Sequence, residues 1–161
     1  MTDENPPPAT TRIADAADFL TRYQAFEAKA AELHPANKAA LFAVLRDLGI
    51  ASIFVRFDGY GDSGQIEEGT AVGVDKAECS LPEGQVRFQK IHFGQDEPET
   101  LSEPLAEAIE TLVYAYLSST HGGWENNAGA FGDFIFDVAA DSITLDYNER
   151  FESSEHYSHK F

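Results

Sequence analysis

The chain is short of positive charge. It carries 11 Lys and Arg against 28 Asp and Glu, a formal net charge of −17 at neutral pH. A field of that sign repels phosphate backbones and attracts cations or basic protein surfaces, so direct nucleic-acid binding is not expected. Cysteine is almost missing. Cys79 stands alone, which excludes an internal disulfide and a multi-thiolate zinc site, and no neighbouring cation in the sequence marks it as an activated thiol. No stretch holds eighteen apolar residues in a row, and the first residues lack a basic segment followed by an apolar one. Neither a membrane span nor secretion is predicted, and a cytoplasmic location is the expectation. A GxSxG elbow is absent as well, and Ser63, between Asp62 and Gly64, has no recognisable base partner.

What is present suits one domain. A chain of 161 residues with 43% hydrophobic and 12% aromatic content can bury a single sizeable core. The opening "MTDENPPPAT" joins three consecutive prolines to polar residues and predicts a disordered tail at residues 1–10. The acidity is unevenly placed. Residues 1–57 hold seven acids and six bases (net −1), whereas residues 58–161 hold twenty-one acids and five bases (net −16).

Apolar residues at Ile13, Ala17, Leu20, Tyr23, Phe26, Ala30 and Leu33 recur at three- and four-residue steps, predicting a first helix with this stripe in the core. Pro35 suits the first turn of a second helix with an apolar face of Leu41, Val44, Leu45 and Leu48, stopped by Gly49. From Ala51 the period becomes two, with Ile53, Val55 and Phe57 on one face of a strand and Ser52, Phe54 and Arg56 on the other. Further strands are predicted in "QIEEGTAVGV" and "QVRFQKIHF". Thr100 and Glu103 fit a capping box opening a third helix along Leu101, Leu105, Ile109, Leu112 and Tyr116, ended by Gly122 and Gly123. A hairpin closes the order. A two-residue turn at Ala140-Asp141 would pair Phe136 with Leu145 and Phe134 with Tyr147 on a buried face, and leave Asp133, Asp137 and Asp146 outward. Together these elements predict an α+β domain over residues 11–161: an antiparallel sheet of about five strands, packed by an N-terminal helical hairpin and a third helix.

The stretch "FDGYGDSGQIEE", residues 57–68, admits three readings: a turn, a metal loop or a contact surface. An EF-hand fails, because its third and twelfth positions would fall on Tyr60 and Gly69. "GYGDSG" lacks the GK[ST] ending of a phosphate loop. A different divalent-cation site built from Asp58, Asp62 and Glu67 is the weak alternative, and no other cofactor is expected. His156 and His159, with Glu152 and Glu155, form a second weak metal candidate; an aromatic tail of Tyr157 and Phe161 packed on the fold is the simpler expectation. Glu125 with Asp133, Asp146 or Glu149 would suit a carboxylate-dependent hydrolase, were the separations right. "GGWENN" combines Trp124 with Glu125, Asn126 and Asn127, as a recognition loop would, or else it plugs the core with the indole. The interaction surface expected here comprises Asp58, Tyr60, Asp62, Gln65, Glu67, Trp124, Glu125, Asn126 and Asn127, with the two loops meeting at one end of the sheet.

"FDGYGDSGQIE", "THGGWENNAGAFGDFIFDV" and "ITLDYNERFESSEHYSHKF" together resemble a family of small bacterial proteins of plasmids, phages and integrated elements, over roughly residues 50–161. That family has no assigned activity, so no catalytic residues carry over. The resemblance implies a mobile-element accessory protein. Combined with the charge, the expectation is a non-enzymatic acidic protein that binds a basic surface of a nucleic-acid-binding partner, as an inhibitor of the anti-CRISPR or antirestriction type does by phosphate mimicry; a cation- or carboxylate-dependent hydrolase is the alternative.

Overall fold

A computed structural model describes residues 9–60, 63–67, 69–126 and 128–161. Most of the predicted disordered tail, residues 1–8, lies outside them. The chain forms an α+β fold. Helix α1 (Ala9–Glu32) runs into α2 (His34–Asp47), followed by strands β1 (Ile50–Tyr60), β2 (Ser63–Ile66), β3 (Thr70–Gly73), β4 (Glu78–Ser80), β5 (Gln85–Lys90) and β6 (Glu99–Pro104). Helix α3 (Leu105–Thr120) then precedes β7 (Ala130–Asp137) and β8 (Ser142–Glu149). Six strands form one antiparallel sheet in the order β4-β3-β1-β7-β8, with β2 paired to β1, while β5 and β6 make a separate ribbon.

The period-two pattern of β1 places Ile53, Val55 and Phe57 in the core, where Phe134 and Phe136 of β7 join them. Leu41, Phe42 and Leu45 of α2 and Leu105, Ile109, Leu112 and Leu117 of α3 cover this inner face. The β5–β6 ribbon adds Val86 and Phe88. Asn37, buried in α2, ties the ribbon down: its Nδ2 donates to the Gln89 carbonyl at 3.0 Å, and the Gln89 N–H donates to its Oδ1 at 2.8 Å. Both amide groups of a buried side chain are thereby satisfied.

Three expectations change. The α1 stripe is not core: Leu20 and Tyr23 are exposed, and Phe26 and Ala30 are half-buried. Pro35, without an N–H, interrupts the helix ladder, so the chain bends at Leu33 and α1 leaves the body. Phe93 meets it there, its ring 5.6–5.9 Å from those of Phe19, Tyr23 and Phe26. The Thr100–Glu103 capping box does not form either. Residues 99–104 pair with β5 as a strand, and Pro104, with an extended ψ of 146°, becomes the N-cap of α3. Glu103 is instead buried against Lys90.

The third change is the register of the last hairpin. Phe134 lies opposite Leu145, Phe136 opposite Ile143 and Gly132 opposite Tyr147, a slip of two residues from the predicted pairing. The connection spans Val138–Asp141 rather than two residues, with Asp141 at φ 54° and the Asp137 carboxylate accepting from the Ala140 N–H at 3.1 Å. A slip of two keeps every side chain on its face. Phe134 and Phe136 are therefore buried as expected, Leu145 and Tyr147 are half-buried, and Asp137 and Asp146 are exposed.

Candidate interaction surface

The two loops singled out in the sequence do meet. Strand β1 continues through Asp58 to Tyr60 and pairs with β2 in the register Asp58↔Gln65, Gly59↔Gly64 and Tyr60↔Ser63. Trp124, after α3, lies across the glycine pair. A Cβ at Gly59 would fall 2.8 Å from the indole and from the Glu125 Cα, and one at Gly64 would strike the same ring. These two glycines thus make room for the indole, which is 7% exposed. Trp124 is a plug, and what the loop presents outward is the half-buried Glu125 and the exposed Asn126.

Below the plug runs a column of rings. Phe57 sits edge-on to Trp124 at 5.5 Å and near-parallel to Tyr147 at 6.0 Å, and His121 stacks on Tyr147 at 3.6 Å with 5° between planes. Tyr114 closes the other side, 6.5 Å from the indole. Burial raises the Tyr147 hydroxyl above its ordinary range, with Glu149 and then Glu125 adding to the effect. Tyr114 is raised by burial, Glu110 and Glu125. Glu125 thus places negative charge beside both phenols.

The opposite face of the sheet is left open by the helices. Its rows read Ser52–Asp137–Ser142, Phe54–Ile135–Thr144, Arg56–Asp133–Asp146 and Asp58–Phe131–Asn148 across β1, β7 and β8. Phe54 and Phe131 are 43% and 41% exposed. Around them stand Asp58, Asp133, Asp137 and Asp146, countered by Arg56, 3.4 Å from Asp133, and by Arg150.

Arg150 is the residue that the sequence reading missed. Its guanidinium lies 3.0 Å from the Asp58 carboxylate, donates to the Gly59 carbonyl at 3.1 Å and covers the Phe131 ring at 4.5 Å. One of only five bases in residues 58–161, it clasps the end of β8 to β1 across β7. Its scarcity was the available signal.

Of the remaining predicted site residues, Gln65 and Glu67 are exposed, and the Glu67 N–H donates to the Arg56 carbonyl at 2.8 Å. Asp62, Asn127 and the Tyr60 side chain lie outside the described residues. Among the described residues, no group of three or more His, Cys, Asp or Glu is placed to hold a metal ion. Asp133 and Asp146 face one another across β7 and β8. His156 and His159 are exposed, and the segment around them is not packed on the fold: Phe151 is 86% and Tyr157 72% exposed. The aromatic cover expected from Tyr157 and Phe161 does not form: both rings are exposed on the segment that follows β8.

Residues 33–161 match the model of a family described as a family of unknown function, DUF6878. The chain belongs to DUF6878. The matched span begins at the α1–α2 bend, so the DUF6878 unit comprises α2, the whole sheet, α3 and the segment after β8, while α1 precedes it. No curated protein and no solved structure matches the chain. Among the described residues, no helix is long and apolar enough to cross a membrane.

Proposed function

We propose that this protein is a non-enzymatic acidic interaction module that docks the open face of its sheet on a basic surface of another protein. One observation carries the reading. Phe54 and Phe131 remain about two-fifths exposed on the central strands β1 and β7 of the sheet, and carboxylates from β1, β7 and β8 stand around them. Apolar anchors in a surround of net negative charge, four carboxylates against Arg56 and Arg150, favour a partner with an apolar patch inside a Lys/Arg-rich rim. A groove that ordinarily takes nucleic acid has that chemistry, and the carboxylates would stand where phosphates bind. In its sharpest form the partner is a host defence nuclease and the protein is its inhibitor, carried on a bacterial mobile element.

The test is capture from a bacterial host extract on immobilised protein at 50 and 300 mM salt, with and without competing duplex DNA. A basic nucleic-acid-binding protein should be retained at low salt, displaced by the DNA, and lost when Asp133→Asn is combined with Asp146→Asn. Asp96→Asn with Glu97→Gln removes the same charge from an exposed loop and should leave capture unchanged. Retention indifferent to DNA, or equal loss with both pairs, would overturn the reading.

A further inference from the structure

Strand β8 is an outer edge of the sheet, with β7 on one side and no strand on the other among the described residues. The Arg150 N–H donates to the Gly129 carbonyl on the β7 side. Main-chain groups alternate in direction along a strand, so the even residues of β8 face β7. Those of Ile143, Leu145, Tyr147 and Glu149 point away, along an unpaired edge. The side chains of Ile143, Leu145 and Tyr147 lie on the core face and are only partly buried, with His121 against the Tyr147 ring and no strand beyond them among the described residues.

Residues 151–161 continue from this edge strand. They form no helix or strand and touch little, yet the family match runs through them to residue 161. Their sequence, "FESSEHYSHKF", alternates: Phe151, Tyr157 and Phe161 share one parity, and all three are exposed. That is the parity of Ile143, Leu145 and Tyr147. A segment with its Phe and Tyr rings confined to one parity is equipped for strand addition. The same chain offers the receiver, a bare edge with half-covered apolar side chains of matching phase.

We propose that two copies of this chain pair through β8 and the segment that follows it, as antiparallel strands related by a twofold axis at Phe151. In that register Phe151 faces Phe151 of the second copy, Leu145 faces Tyr157 and Ile143 faces His159. On the other face Arg150 stands opposite Glu152, and Asp146 opposite His156. Across the two faces Lys160 and Glu149 meet Ser142 and Ser153, so no two like charges face one another. Moving the axis by one residue either way sets Arg150 against Arg150, or Glu152 against Glu152. Charge thus selects the register that the aromatic parity permits. Pairing covers the β8 edge of both copies, which removes an exposed template for uncontrolled strand addition. The interface is isologous, as a twofold axis requires.

Sedimentation of the full chain over 1–200 μM tests the pairing, with the single-chain mass of 17.7 kDa as reference. Twice that mass should appear with rising concentration. Phe151→Asp and Glu152→Arg should each raise the dissociation constant more than tenfold while leaving Trp124 emission, and hence the fold, unchanged. The lone cysteine permits a geometric check. Facing hydrogen-bonded residues have Cα atoms about 5.5 Å apart, within disulfide range. Phe151→Cys in a Cys79→Ser background should therefore give a covalent dimer on mild oxidation, and Glu155→Cys in the same background should not. A chain that stays monomeric throughout overturns the proposal. So does a dimer indifferent to Phe151→Asp, or equal crosslinking from both cysteine positions, since association would then run through another surface.

Discussion

Trp124 occupies the space that a side chain at Gly59 would need, its ring carbons 2.8 Å from where a Cβ would stand. Gly64, the cross-strand partner of Gly59, meets the same ring. The glycines of the β1–β2 pairing and the indole after α3 are therefore one packing unit. Gly64→Ala should cost about 1–3 kcal/mol through overpacking and alter the emission of the single tryptophan. An unchanged melting temperature with unchanged emission would refute the packing.

The two faces of the sheet should respond differently to truncation. Phe136 is fully buried, so Phe136→Ala should destabilise by about 3–5 kcal/mol. Phe54, on the open face, should tolerate Phe54→Ala within about 0.5–1 kcal/mol. Urea denaturation of the two variants checks this, and equal losses would mean that the outer face is covered.

Glu125 should be visible in the tyrosine titration. Tyr147 and Tyr114 are both raised above 10.0, first by burial and then by neighbouring acids that include Glu125. Glu125→Gln should bring two phenol ionisations down towards 10, as followed by ultraviolet absorbance. The sign for stability follows from the raised folded-state values: the contribution is present below pH 10 and is lost as pH rises through those values. Glu125→Gln should narrow that alkaline loss, and a titration curve identical to that of the parent chain would contradict the arrangement.

The Lys90–Glu103 pair offers a fourth test. Glu103 is buried under the β5–β6 ribbon, with Thr111 Oγ1 at 3.5 Å and the Lys90 ammonium against its carboxylate. Lys90→Met leaves that carboxylate without its counter-charge and should cost about 1–3 kcal/mol. Adding Glu103→Leu should recover much of the loss, because the double change removes the buried charge as well. Thermal melts of both variants decide it, and a double variant less stable than the single one would count against the reasoning.

Much of the fold is legible in the sequence because alternation and helical spacing report directly on which side chains share a face. Ile53, Val55 and Phe57 announce the inner face of β1, and Gly49, at φ 71°, ends α2 as expected. Face is as far as such patterns reach. The last hairpin keeps its buried and exposed sets under a slip of two residues, so alternation alone does not distinguish the two registers. Packing does: Gly132 sits opposite Tyr147, where any Cβ would strike the Asp146 carbonyl and the Phe57 ring. Helical spacing likewise marks the α1 stripe as apolar without saying that the bend at Pro35 carries it away from the core. Acidity, too, is a property of composition, but its placement is not. Only the sheet order brings Asp133 and Asp146 together and folds Arg150 over Asp58 from 92 residues along the chain. Contacts that distant depend on how strands from separate segments pair and on which side chains can pack at each crossing, and no local pattern encodes that choice.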